Sequence, residues 1–299
     1  MNVKQILDYY LNTHVEEQVI AQDRAIIAVN HLRRHLNGIA PQDLTSRVVA
    51  KYKSTRRAEG VSDSTIRREL VTLVAACNHA RRQRQIPADH VPVVSLPPIP
   101  PPKDLWMTET EEQAFWDIAE RTNGERMSRV FRFIAIALET AARLNSIVGL
   151  RWPQVDLDGG MIRFDNDGKR QKNKRRVPVP ISDRLMPVLV RAHAERASEF
   201  VLDDSNDIRR AFNKAVEEAA QTIDKRLAAV TPHTLRHTWA TLAARAGVDL
   251  YEIAGVLGDT LATVERNYLH HAPDHLRTAI NFKSAARNVG RNARNGRMP

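Results

Sequence analysis

Six prolines crowd the stretch from Val91 to Lys103, which reads V-P-V-V-S-L-P-P-I-P-P-P-K. Proline fixes φ and lacks a backbone N–H, so no helix or sheet interior can run through this segment. The 299-residue chain is therefore divided in two, with enough length on each side to bury a core. The expected organisation is a helical domain over 1–92, an extended linker over 93–105, a mixed domain over 106–280 and a basic tail over 281–299. A ligand for a proline-binding module is the weaker reading of a stretch placed between two domains.

Before the prolines the apolar period is helical throughout. Leu7, Tyr10 and Leu11 follow helix spacing in the opening segment. A second helix is expected from about Gln22 to Leu36, with Ile26, Ile27, Val29 and Leu32 inward, ending before Gly38. Pro41 is expected to start a third, carrying Leu44, Val48, Val49 and Tyr52. Ser62 or Asp63 can cap a fourth, with Ile66, Leu70, Leu73 and Val74 inward. Arg67, Arg68, Arg81, Arg82 and Arg84 are assigned to that fourth helix. Such charges are ordinarily a solvated face, but five arginines with few carboxylates tilt the reading toward a phosphate-facing surface.

Past the prolines, Thr108 and Glu111 make a capping box for a helix reaching about Arg121. Ser128 to Thr140 is apolar on most faces and is read as a buried helix, with Arg143 directly after it. M-I-R-F and V-P-V-P-I read as short strands. Between them lies D-N-D-G-K-R-Q-K-N-K-R-R, a strongly basic hairpin with its turn at Asp167-Gly168. Like charge at that density is costly unless an anion approaches it. Helices return after Ser182 and from about Asn206 to Ala220.

The formal net charge is +10, which favours a polyanionic partner, nucleic acid first. Arginine suits phosphate better than lysine because its planar fork pairs with two oxygens at once. The lone cysteine, Cys77, permits no intramolecular disulfide and lies on an apolar helical stripe. With no secretory leader pattern and no apolar run of bilayer length, the expected setting is the cytoplasm, at the nucleoid if DNA is the partner, and no membrane.

The stretch Thr231 to Leu276 carries the chemistry. His233 and Arg236, three apart at a helix start, share one face. Tyr268 follows in a second helical pattern. Cleaving a phosphodiester without a metal requires a nucleophile, fixed cations for the charge growing on the non-bridging oxygens, and an acid for the leaving oxygen. Tyr268 can be the nucleophile, Arg143 and Arg236 the clamp, a hairpin lysine the acid, and His233 an aid to proton transfer.

These residues and their order resemble the tyrosine recombinases, or phage integrases, over nearly the whole chain. That family's first arginine lies in a pattern like T-G-x-R-x-x-E-L; here T-A-A-R-L-N-S-I contains Arg143, with Ala141 and Ser146 in place of the glycine and the acid. Its second motif, H-x-L-R-H-T-x-A-T, is matched by His233 to Thr241, including Arg236. Its L-G-H is here L-G-D, ending at Asp259, with Tyr268 at the family's spacing. Its hairpin lysine is matched by Lys172, with Lys169 and Lys174 as alternatives in register; Arg170 and Arg175 are further expected DNA contacts.

The resemblance implies an α+β, mostly α, fold: a helical SAM-like core-binding domain and a mixed catalytic domain with a small antiparallel sheet. It also implies site-specific strand exchange on double-stranded DNA through a 3′-phosphotyrosine at Tyr268. Arg143, Lys172, His233, Arg236, Asp259 and Tyr268 would form the catalytic set, with four protomers on two sites exchanging C-terminal segments. An accessory DNA-bending factor is a candidate partner. The ester stores the bond energy, so no cofactor, ATP or metal is expected. A separate arm-binding domain is not expected, so neither are distant arm sites.

Asp259 is the departure that matters, because an acceptor replaces a donor to phosphate. Near a phosphate that costs energy unless Asp259 is protonated, turned away or paired with a nearby cation. Either it caps the next helix, at about Thr260 to Leu269, and points away, or catalysis is weakened. Two rivals follow: a type IB topoisomerase-like activity, and a recombinase-derived DNA-binding protein without cleavage. His270, His271 and His275 fit no closed metal site and are read as solvated or packing residues. The four tryptophans are read as core or domain-contact residues.

Overall fold

The computed structural model describes residues 1–19, 22–99, 104–164, 178–204 and 207–272. It divides into two compact units, Met1–Lys103 and Asp104–Pro299. The architecture is mostly helical with one small antiparallel sheet.

The first unit packs four main helices: α1 (Val3–Tyr10), α2 (Gln22–Leu36), α3 (Ser46–Ala58) and α4 (Asp63–Arg82). Asn2 and Gln5 form a reciprocal capping box on α1, and Ser62 caps α4 by accepting from the Thr65 N–H. Val3, Ile6, Leu7, Val29, Leu32, Ile66, Leu70, Leu73 and Cys77 build the core. Three expectations are corrected. Ile26 and Ile27 are exposed, and Ala28 and Leu36 are buried with Val29 and Leu32 instead. Pro41 starts only the short 3₁₀ turn Pro41–Asp43; α3 begins after Thr45, whose hydroxyl accepts from the Val48 N–H. Leu44 is buried ahead of that helix.

The proline-rich stretch is not a free spacer along its whole length. Val91, Val94 and Leu96 pack against the first unit's core. Lys53 Nζ donates to the Ser95 carbonyl at 3.2 Å, and Arg67 Nη1 to the Pro97 carbonyl at 2.5 Å. Proline carbonyls still accept hydrogen bonds, so a segment excluded from helix and sheet can be tied down by side chains.

In the second unit, α5 (Glu109–Glu120) opens with the Thr108–Glu111 capping box, and α6 (Arg129–Thr140) is capped by Ser128. α6 is buried along nearly its whole length, Arg132 included. That guanidinium donates to the carbonyls of Val201 and Met127 and pairs with Asp203 at 3.0 Å, which is how a charge is tolerated in a core. After the short α7 (Leu144–Val148) come β1 (Val155–Asp156), β2 (Met161–Ile162) and β3 (Val179–Pro180). The sheet order is β1-β2-β3, antiparallel, with Val155 opposite Ile162 and Ile162 opposite Val179. The basic stretch between β2 and β3, its turn at Asp167-Gly168 included, lies outside the described residues.

Helices α8 (Met186–Ala194) and α9 (Arg209–Thr222) follow, then α10 (Pro232–Arg245), α11 (Leu250–Leu257) and α12 (Leu261–Tyr268). α10 packs along α6. A second apolar cluster of Ala141, Ala240, Ala244, Ile253, Ala254, Leu257, Val264 and Tyr268 joins the end of α6 to α10, α11 and α12. Four alanines there leave room for close backbone approach, and that approach brings the polar residues of the site together. Trp116 and Trp152 are core residues. Among the described residues no helix is long and apolar enough to cross a membrane.

Candidate active site

The site is assembled by three chain turns. The first is the exit from α6. Ala141 caps that helix in the left-handed region, at φ +52°. A Cβ strains that conformation, and this is the position where the pattern cited above carries glycine. The turn points the Ala141 carbonyl at Arg236, whose Nη1 donates to it at 2.9 Å. Arg143 follows as the N-cap residue of α7; its side chain is not used in capping.

The second turn is the start of α10. Thr231 and Thr234 form a reciprocal capping box there, with Pro232 at the first position. His233, Arg236 and His237 then fall on neighbouring faces of one helix. Thr238, on the opposite side, accepts from the buried Met107 N–H at 3.0 Å and anchors α10 to the unit's first residues.

The third turn joins α11 to α12. Gly258 ends α11 at φ +60°, where a glycine is unstrained. Thr260 caps α12, accepting from the Thr263 N–H. The reading of Asp259 as that helix's cap is therefore corrected. A neighbour takes the capping role, and Asp259 turns inward. Its Oδ1 accepts from Arg143 Nη2 at 2.7 Å, and its Oδ2 from Arg236 Nη2 at 2.6 Å. Arg236 Nη2 also donates to the Leu257 carbonyl at 2.7 Å. Arg236 is thus locked by a carboxylate and two backbone carbonyls and is 5 % exposed, whereas Arg143 and Asp259 keep 32 % and 28 % of their side-chain surface.

Tyr268 ends α12 with its ring buried. Its hydroxyl lies 2.8 Å from His237 Nδ1. Lost hydration pushes the phenol up to about 12, with Arg236 opposing the shift and Asp259 adding to it. His237 is held below its ordinary range, by burial first and then by Arg236. His233 reaches the surface, but its ring lies edge-on to that of His237 at 4.5 Å. Lost hydration, then His237, Arg236 and Arg143, hold it down to about 4. Both imidazoles are neutral at pH 7 as a result. Among the described residues the cluster therefore sets two guanidiniums against a single carboxylate.

A model of the phage integrase family matches residues 105–275. The chain belongs to that family. Among its relatives is a tyrosine recombinase XerC of Oceanobacillus iheyensis, 22% identical over 91% of this chain and 95% of its own. Among solved structures, the Tn1549 transposon integrase in complex with a circular intermediate DNA matches with a TM-score of 0.75 at 16% identity, over 94% of this chain and 99% of its own. A lambda integrase dimer bound to a COC′ core site matches with a TM-score of 0.67 at 15% identity, over 92% and 96%. The fold of this integrase-family chain is thus that of integrases described on DNA.

Of the residues singled out from the sequence, Arg143, His233, Arg236, Asp259 and Tyr268 fall in this one site. Lys169, Arg170, Lys172, Lys174 and Arg175 lie outside the described residues, as does His275. Arg67, Arg68, Arg81, Arg82 and Arg84 are in the first unit. Arg67 and Arg81 stand about four turns apart on α4, as do Arg68 and Arg82, so the four line one side of it. Arg84 is corrected: α4 stops at Arg82, and Arg84 sits beyond it at φ +56°.

His237 was not singled out. It stands inside the motif that picked out Arg236, and only the fold brings it to Tyr268, 31 positions on. Asp104, His270 and His271 form the one described group able to hold a metal ion, with ligand atoms within 4.8 Å of one another. His271 Nε2 lies 3.4 Å from Asp104 Oδ1.

Proposed function

We propose that this integrase-family chain is a site-specific DNA recombinase that cuts and rejoins double-stranded DNA through a 3′-phosphotyrosine at Tyr268. The observation that carries the reading is the hydrogen bond between the Tyr268 hydroxyl and the neutral His237 ring, in one site with Arg143 and Arg236. The XerC relative and the integrase structures described on DNA support the same reading.

In the first step Tyr268 Oη attacks the scissile phosphorus. A phenol pushed up to about 12 is protonated at neutral pH, so its proton must leave as the P–O bond forms. His237 Nδ1 stands at hydrogen-bond distance to accept it. Arg143 and Arg236 hold the non-bridging oxygens as charge builds on them. The bond to the 5′ oxygen breaks, and a lysine of the basic stretch, Lys172 or else Lys169 or Lys174, protonates that oxygen, with His233 beside the arginines to assist. In the reverse step the 5′-hydroxyl of a second strand attacks the phosphotyrosine and gives its proton back to the lysine, while the bond from phosphorus to Tyr268 Oη breaks and His237 returns its proton to the phenol. Bond count and charge balance across the two steps, so no cofactor is called on. Four protomers on two DNA sites, the α4 arginines on the backbone of the duplex, and a DNA-bending accessory factor complete the reading.

Asp259 supports a second reading, because its carboxylate already occupies both arginines. On that reading the chain is a recombinase-derived, sequence-specific DNA-binding protein with weak or no cleavage. Nicked suicide duplexes drawn from the DNA flanking the gene separate the two. An SDS-resistant protein–DNA band in wild type, absent in Tyr268→Phe, supports recombination. Specific binding with no band supports the second reading.

A further inference from the structure

Asp259 does more than sit near the arginines; it holds them as a phosphate would. Each of its two carboxylate oxygens accepts from the Nη2 of a different guanidinium, at 2.7 and 2.6 Å. A phosphodiester presents two non-bridging oxygens to a pair of arginines in the same one-to-one way. We propose that the Asp259 carboxylate is a resident stand-in for a phosphate, aligning Arg143 and Arg236 in the free protein and leaving when a phosphate arrives. The proposal rests on the reading of these arginines as phosphate ligands, and deepens it by naming what sets their affinity.

Three features give the carboxylate a way out. Arg236 is also held by the Ala141 and Leu257 carbonyls, so losing Asp259 does not release it. Asp259 and Arg143 both keep solvent contact, so the exchange of one anion for another opens no sealed core. Thr260, not Asp259, caps α12, so the helix bearing Tyr268 does not need the carboxylate for its first turn.

Charge supplies the reason for a stand-in. Arg143 and Arg236 repel, and burial already disfavours a charged Arg236. Among the described residues, the groups facing Asp259 are these two cations, the neutral His233 and the Tyr268 phenol. In the free protein the carboxylate offsets the repulsion. In the DNA-bound site it would compete with the phosphate. One residue thus stabilises the free protein and weakens its hold on phosphate. A purely structural aspartate would contribute to the first and leave the second untouched.

Those opposite signs make the test. Thermal unfolding of the full chain is followed against inorganic phosphate for wild type, Asp259→Asn and Glu218→Gln. Glu218, on the solvent side of α9 and paired there with Arg121, controls for the loss of one negative charge anywhere. Without phosphate, Asp259→Asn is expected to melt below wild type. With phosphate, its stabilisation is expected at about tenfold lower concentration, since a charge-assisted competitor is gone from each arginine. Glu218→Gln is expected to follow wild type. An Asp259→Asn unfolding midpoint equal to or above that of wild type without phosphate, stabilisation of Asp259→Asn at the same or higher phosphate concentration than wild type, or equal shifts in Glu218→Gln, overturns the proposal. If Asp259→Asn does not fold, the Asp259 carboxyl ¹³C resonance of the wild type is followed instead. Movement on phosphate addition supports displacement, and a fixed resonance overturns it. None of these readouts needs Tyr268 chemistry, so a missing covalent adduct would sink the recombinase reading and leave this one standing.

Discussion

In the first unit one carboxylate meets one arginine in full burial; in the second, one carboxylate is shared by two arginines at the edge of solvent. Glu69 accepts from Arg56 through both oxygens, at 2.6 and 3.1 Å, and from the Tyr52 hydroxyl at 2.6 Å. Both charged side chains are at most 4 % exposed, and Arg56 also reaches Glu59. Both Glu69 oxygens are matched inside the cluster, and Glu59 adds a second acceptor for Arg56 at the surface. The Tyr52 phenol is driven up by burial and by Glu69, so it serves only as a donor. Around Asp259 the balance is uneven: two guanidiniums, neutral histidines, and a carboxylate that still touches water. A cluster whose carboxylate and arginine are both buried specifies a fold, whereas an open one with surplus cations can exchange its anion, as proposed for Asp259.

The comparison breaks most visibly if the sealed cluster is opened. Glu69→Ala leaves Arg56 buried with its main counter-charge gone and is expected to destabilise the first unit by about 3–5 kcal/mol; urea unfolding of the variant against wild type measures it. Arg143→Ala is expected to act on chemistry instead. Losing one fixed donor to the growing charge should slow covalent adduct formation by about 10²–10³-fold with little change in the unfolding midpoint. Asp259→Asn lies between them: about 1–2 kcal/mol of stability lost, far less than for Glu69 because water reaches the carboxylate. An equal loss in the two carboxylate variants would erase the distinction between the clusters.

The smallest effect is in pH. His233 and His237 are held below their ordinary value of 6.5 in the folded protein, His233 down to about 4. As pH falls from about 6.5 the unfolded chain takes up protons that the folded one refuses, so stability falls with pH across that window. Unfolding curves at steps from pH 7 to 4 should show the decline, shallower in His233→Gln. Cleavage should fall too as His237 protonates and can no longer accept from Tyr268, and a flat rate profile across that range would remove His237 from the proton path.

How much of this was legible in the sequence follows from the range of each interaction. The Thr108–Glu111 and Ser62 caps are decided within a turn of chain, and local spacing found them. Ile26 and Ile27 were misplaced because a period says that a helix has an apolar face but not how far that face extends before it meets a neighbour. β1, two residues long, is too short to alternate. The tyrosine and both arginines were found by motif. Pairing of Asp259 with a cation was one of the open possibilities, but which cations was not legible, because the choice between capping α12 and pairing with Arg143 rests on a contact 116 positions away. His237 went unmarked for the same reason: its role depends on where α12 delivers Tyr268.

The most direct test of the account is to trap wild-type protein on a nicked duplex, digest the complex and map the nucleotide-bearing peptide by mass spectrometry. The account predicts a 3′-nucleotide phosphate on Tyr268, with no adduct in Tyr268→Phe. An adduct on another residue, or none from a protein that binds the duplex specifically, would contradict it.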